Sequence, residues 1–167
     1  TNQVNYSLLD RETILKQIHR IKEKFTESLP NIYLLHGEMT DDEMNQLNND
    51  NKVKAFVSFT KGEGYGRPLA EFATTGKPII VSNWSGYKDF LPEENTVYLE
   101  GELKNVHESA TNKFLLKESK WFTVNYSDAA NKMYKVFNEY DSYLSQSAGL
   151  KQNIESNFSL AKMDEVF

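Results

Sequence analysis

Apolar residues recur along the chain in two alternating rhythms. From Asp10 to Phe25, the residues Ile14, Leu15, Ile18, Ile21 and Phe25 fall on one helical face, with Lys and Glu on the other. That spacing predicts a helix, with Asp10 as its N-cap and Thr13 in its first turn. Pro30 punctuates, and Ile32-Tyr33-Leu34-Leu35 predicts a short buried strand. His36-Gly37-Glu38-Met39 is a turn, and Thr40 to Glu43 has capping-box spacing, opening a short helix through Met44 and Leu47. After a polar loop from Asn48 to Lys52, Val53 to Phe59 predicts a second strand with Ala55, Phe56 and Val57 at its core. Thr60 to Arg67 is a glycine-rich loop. Pro68 suits a first helical position, where its missing N–H would be unpaired anyway. Leu69 to Thr75 is the helix that follows, ended by Gly76 at the left-handed position beyond the C-cap. Ile79-Ile80-Val81, after Pro78, is apolar at consecutive positions, which suits a parallel strand covered on both faces.

Ser82 to Gly86 forms a second glycine-containing loop, and Val97-Tyr98-Leu99 another short strand. Gly101 to Lys120 is polar and irregular. Trp121 to Val124 leads to Ser127 as an N-cap and to an amphipathic helix from Asp128 to Leu144, with Ala129, Met133, Val136, Phe137 and Tyr140 inward. Ala148 to Phe167 reads as helical, broken near Asn157 to Ser159. Strands and helices that alternate through short connections imply an α/β fold, a parallel sheet flanked by helices. Such sheets bind ligands beyond the carboxyl ends of their strands. Both glycine-containing loops follow strands, so both are expected at that edge.

The length of 167 residues is about one domain. The absence of cysteine excludes disulfides and thiolate sites and fits a reducing compartment. A net charge of −5 argues against a nucleic-acid partner. No apolar stretch reaches the ~20 residues of a membrane span. Thr1 to Asp10 lacks the layout of a signal peptide. The expectation is a cytoplasmic protein with neither a nucleic-acid partner nor a membrane span.

The stretch Lys61-Gly62-Glu63-Gly64-Tyr65-Gly66-Arg67-Pro68-Leu69-Ala70-Glu71 carries the chemistry. Glycines at alternate positions remove side chains where a ligand could touch the backbone. The loop feeds a helix whose first N–H groups lack internal partners and favour an anion such as a diphosphate. Carboxylates beside a diphosphate are unfavourable unless they serve other atoms. The hydroxyls of a sugar or ribose are suitable, since a carboxylate accepts from both members of a diol. The competing reading is a tight connection with two solvated acids. The G-x-G-x-G spacing differs from the dinucleotide fingerprint, and no phosphate-loop lysine follows.

The segment from Glu63 to Ser82 resembles the E-x7-E signature of the GT-B retaining glycosyltransferases of family 4, approximately E-G-F-G-x-P-x-x-E-A-x-x-x-G-x-P-V-[IV]-x-[ST]. Gly86, Asp89, Trp121-Phe122, Leu35-His36-Gly37 and Asp42-Glu43 resemble further family positions, so the similarity runs from about Ile32 to Phe167. The resemblance implies a single Rossmann-like domain, the C-terminal, donor-binding half of a GT-B fold, which binds a nucleotide diphosphate sugar for transfer to an acceptor. It implies that Glu71 takes the ribose hydroxyls. Glu63, as the catalytic position, would hold the transferred sugar with the backbone of Gly64, Tyr65 and Gly66. Amides at Arg67 and Leu69 would face the β-phosphate, and Gly37, Glu38 and Met39 would border the base. It implies no metal and no cofactor.

The match has gaps. The family's Arg and Lys that clamp the diphosphate, its first strand, and the N-terminal acceptor domain would all lie upstream of Thr1, so this stretch alone is expected to be inactive. Arg11, Lys16 and Arg20 read as a solvated face. The alternatives are a non-catalytic scaffold module of the same fold, or a phosphorylase or epimerase on the same architecture. His19 and His107 read as surface residues, and Trp121 as core. Lys61, Lys88 and His36 are candidates for ligand contact. Trp84 is open between packing and shaping a sugar pocket.

Overall fold

The computed structural model describes residues 7–112 and 115–164. Its contacts divide the chain into two compact units, Thr1–Gln46 and Leu47–Phe167.

The first unit holds helix α1 (Leu8–Lys22) and the start of helix α2 (Asp41–Asn49). Ser7 caps α1, three residues ahead of the expected Asp10: its Oγ accepts from the Asp10 amide at 3.2 Å, which places Asp10 in the first turn. No residue of α1 is buried. The capping box at α2 forms as expected. The Thr40 amide donates to Glu43 Oε2 (2.8 Å), and the Glu43 amide to Thr40 Oγ1 (3.3 Å). The Thr40 hydroxyl also donates to Glu43 Oε2 (3.0 Å), and the two bonds from Thr40 to the Glu43 carboxylate hold it below its ordinary pKa, the one from the amide most. Ile32 to Leu35 corrects the sequence expectation. The segment is not a strand, and Ile32, Tyr33 and Leu35 are 52, 83 and 66% exposed.

In the second unit, β1 (Phe56–Ser58), β2 (Ile79–Ser82) and β3 (Val97–Leu99) form a parallel sheet in that order. Between β1 and β2 runs α3 (Arg67–Ala73). Next come β4 (Gly101–Asn105) and β5 (Lys120–Val124), an antiparallel pair. The chain closes with α4 (Tyr126–Asn138), α5 (Tyr140–Asn157) and α6 (Leu160–Asp164). Part of the segment expected to be irregular, Gly101 to Lys120, is therefore strand. Its side chains are exposed, so their polarity is compatible with the pairing. The expected final helix to Phe167 breaks after Asn157, as anticipated, and its last three residues lie outside the described ones.

Every residue of β2 is buried, and the alternation of its side chains explains the unbroken apolar run. Ile79 and Val81 pack with Leu69, Phe72 and Ala73 of α3, Tyr98 of β3, and Leu150 and Ile154 of α5. Ile80 packs on the opposite cluster, with Val97, Leu99, Phe122, Val124, and Ala129 and Val136 of α4. The central strand β2 is thus covered on both faces.

The single helix expected from Asp128 to Leu144 is two, separated at Glu139 (φ −114°, ψ 34°). Asn125, not Ser127, caps the first of them, its Oδ1 accepting from the amides of Ser127 and Asp128. Ala129, Met133 and Val136 hold the inward stripe, while Tyr140 begins the next helix, half-buried. Phe137 is 81% exposed, because it lies one residue and ~100° of helical turn past Val136. Gly76 takes the left-handed φ of +68° expected of it. Among the described residues, no helix is long and apolar enough to cross a membrane.

Candidate functional site

Because β1 and β2 are parallel, the loops after them leave the same edge of the sheet. The two loops are fastened to each other. Ser85 Oγ accepts from the Glu63 amide at 2.6 Å and also donates to the Glu63 carbonyl. The Gly86 amide donates to the same carbonyl at 3.2 Å. Ser85 itself sits at φ 102°, ψ −177°, a region that non-glycine residues rarely occupy and that costs about 1–3 kcal/mol. Its two bonds to Glu63 offset part of that strain.

Beneath the fastening, Ser82 Oγ donates to the Thr60 carbonyl at 2.8 Å and lies 2.6 Å from the Tyr87 hydroxyl. Tyr87 in turn donates to the Ser82 carbonyl at 2.8 Å. Burial raises the pKa of the Tyr87 hydroxyl, and its bond to Ser82 offsets part of that rise. The first loop is also tied to β5, where the Phe122 amide donates to the Lys61 carbonyl at 3.1 Å. The second is tied to β3, with the Asn83 amide donating to the Leu99 carbonyl at 3.0 Å.

The glycines of these loops separate into two kinds. Gly86 is required by packing, since a Cβ there would stand 1.9 Å from the Gly64 carbonyl oxygen. Gly66 is required by conformation: its φ is +88°, and a Cβ would meet Leu69 and Tyr87 at 3.3 and 3.4 Å. Gly64 has neither reason. Its φ is not positive, and a Cβ would find nothing within 4 Å.

The predicted site residues fall as follows. Glu63, Gly64, Tyr65 and Gly66 lie on the first loop, with Arg67 and Glu71 on the α3 that it feeds. Tyr65 is half-exposed, with its ring 4.8 Å from that of Phe90. Among the described residues, the amides of Gly64, Tyr65, Gly66 and Arg67 donate to no backbone carbonyl. Leu69 differs. Its side chain is buried, and its amide donates to the Gly66 carbonyl at 2.9 Å, so that N–H is already engaged. Arg67 Nε and Glu71 Oε1 form an exposed ion pair at 3.0 Å. Such an i,i+4 pair is worth only about 0.3–0.5 kcal/mol, so a ligand hydroxyl could displace it. Gly37 (φ +135°), Glu38 and Met39 belong to the first unit, in a turn ahead of α2.

The other candidates are engaged within the protein. Lys61 Nζ lies 4.2 Å above the Trp121 ring. Lys88 Nζ donates to Asn83 Oδ1 (2.5 Å) and pairs with Glu93 (3.3 Å). His19 pairs with Glu23, and His107 accepts from the Ser109 amide; both are exposed. Among the described residues, no group of three or more His, Asp and Glu could hold a metal ion. Sequence reasoning did not single out Ser85. The one available signal was the Ser-Gly pair at 85–86, a turn marker that says nothing of which loop it grips.

Fold and loops together define a class: a mixed α/β protein with two interlocked loops at the carboxyl edge of a parallel sheet. No family model matches the chain, and no curated protein matches it.

Proposed function

We propose that this chain is the donor-binding part of a retaining glycosyltransferase, a Rossmann-like half of a GT-B fold that holds a nucleotide diphosphate sugar. The observation that carries the reading is Gly64. It is a glycine that neither backbone conformation nor internal packing requires, and it lies between Glu63 and the amides of Tyr65, Gly66 and Arg67. Room in front of a bare backbone suits a ligand that must come within hydrogen-bonding distance of main-chain N–H groups. A diphosphate is such a ligand, and those N–H groups would stabilise the charge that develops as it departs. Glu63 and Glu71 would accept from sugar and ribose hydroxyls, with the weak Arg67–Glu71 pair opening on binding.

Calorimetric titration of the wild type with UDP-, GDP- and ADP-sugars tests this, repeated on Gly64→Ala. The expected result is binding of at least one nucleotide sugar and its loss in Gly64→Ala, with thermal stability unchanged. Loss of binding in Glu71→Ala would add support. A wild type that binds none of the nucleotide sugars would refute the reading, as would a Gly64→Ala variant that binds as well as the wild type.

A further inference from the structure

Trp84 is the large apolar residue of the second loop, one position before the Ser85 that grips Glu63. It is 43% exposed. Its indole lies parallel to the Phe122 ring, at 0° between planes and 6.3 Å between centroids, and Phe122 is itself buried in the core beneath. The backbone on either side is fixed: the Asn83 amide donates to Leu99, the Trp84 amide to the Ser82 carbonyl at 2.8 Å, and Ser85 is held in its strained conformation by Glu63. The amide of Phe122 donates to the carbonyl of Lys61, so the floor under the indole and the first loop share one anchor. An exposed tryptophan on a mobile loop would say little. One backed by a core aromatic and locked by its neighbours is a rigid, half-open aromatic surface, one residue from the Ser85 that grips Glu63.

We infer that Trp84 is a stacking platform for a pyranose ring. A pyranose has polar edges and a face of C–H bonds. That face packs on an indole while the edge hydroxyls reach acceptors such as the Glu63 carboxylate. A diphosphate offers the indole nothing, and the amides that donate to no backbone carbonyl among the described residues belong to the residues after Glu63, Gly64 to Arg67. The arrangement therefore divides the ligand, with anion on the first loop and sugar on the second. The sugar could be the one transferred from the donor or the terminal residue of an acceptor; both present the same face. The inference rests on the donor-binding reading for its diphosphate, but the aromatic surface does not.

The chain has two tryptophans, so Trp121→Phe leaves Trp84 as its sole indole reporter. Its fluorescence is followed on adding UDP, GDP and ADP, then their glucose, galactose and mannose conjugates, then methyl glycosides of the same sugars. The inference expects a change with nucleotide sugars and none with the nucleoside diphosphates. A change with free glycosides as well would assign the platform to an acceptor sugar, and a change with nucleotide sugars alone to the donor sugar. In otherwise unaltered protein, Trp84→Ala should weaken nucleotide-sugar binding or glycoside binding, whichever moved the fluorescence, by about tenfold, while Trp84→Phe keeps most of it. Nucleoside diphosphate affinity should be unaffected by either variant. A fluorescence response to nucleoside diphosphates equal to that of their sugar conjugates would overturn the inference, as would no response to any sugar. Glycosides that perturb Trp84 in a chain that binds no nucleotide would instead remove the donor-binding reading and leave the platform standing.

Discussion

Two four-residue runs in this chain are nearly interchangeable as sequence and opposite as structure. Ile79-Ile80-Val81-Ser82 is a strand with every residue at or below 2% exposure. Ile32-Tyr33-Leu34-Leu35 is also an apolar run soon after a proline, Pro30, with Asn31 between, yet it forms no strand and three of its side chains stand largely in water. The difference is partners. β2 has a parallel neighbour on each side, β1 and β3, that completes its backbone hydrogen bonds, and a helix-backed cluster on each face. The first unit contains no strand among its described residues, so nothing in it supplies a ladder for Ile32 to Leu35. An apolar run licenses burial. Strand formation depends on what lies alongside, because a strand makes no hydrogen bonds within itself.

The most direct way to break that comparison is to truncate both runs. Ile79→Ala should destabilise the protein by about 2–5 kcal/mol, the range for emptying a packed aliphatic site. Tyr33→Ala should change stability by no more than about 0.5 kcal/mol, as for surface positions generally. Urea unfolding of both variants reads the result. Equal losses would mean that Ile32 to Leu35 is buried in solution and that the contrast is false. A second test moves from the strand to the loop it supports. Gly86→Ala places a Cβ against the Gly64 carbonyl and forces the loops apart, with an expected cost of about 1–3 kcal/mol. Gly64→Ala should cost nothing. If the two alanines proved equally disruptive, Gly64 would have a structural duty and its use as a ligand signal would fail.

These contrasts locate what the sequence made legible. The order β1, α3, β2, β3 in the second unit, the double-sided burial of β2 and the left-handed Gly76 all follow from local signals: short apolar runs and a glycine past a helix end. The capping box at Thr40–Glu43 was equally legible, since both partners lie within one helical turn. What escaped depends on distant partners. β4 has a single apolar side chain, Leu103, and takes its hydrogen bonds from β5, about twenty residues on, so periodicity could not announce it. Phe137 read as core because a helical stripe has soft flanks, and only the neighbouring elements decide which flank is covered. At the candidate site, the glycine loop was visible as a motif. Its fastening to Ser85, twenty-two residues away, was not. Nor could the pattern show that the Leu69 amide is already taken by Gly66.

The smallest effect sets two acids against each other, one from each unit. Glu43 closes a loop of three residues onto Thr40, whereas Asp128 Oδ2 accepts from the Glu100 amide at 2.8 Å and from Lys132 Nζ at 3.0 Å, binding α4 to the end of β3. Both carboxyls are held below their ordinary pKa. For Asp128, partial burial pushes upward, and the hydrogen bonds from Glu100 and Lys132 together with nearby lysine charge outweigh it. A depressed acid stabilises the fold while ionised. Its contribution is fully present above the unfolded-state value of about 4, and is lost as pH falls through the lower folded-state value. Asp128→Asn should therefore be less stable than the wild type at neutral pH by roughly 0.5–1.5 kcal/mol, and the two should converge as pH drops below about 4. Glu43→Gln should leave the unfolding of the second unit unmoved at every pH, because Glu43 joins no two elements. Urea midpoints measured from neutral pH down into the acid range decide it. A gap between Asp128→Asn and wild type that persists at low pH would assign the loss to shape instead of charge. A comparable effect from Glu43→Gln would show that the capping box of α2 bears on the sheet, and that the two runs compared above differ by less than their exposure suggests.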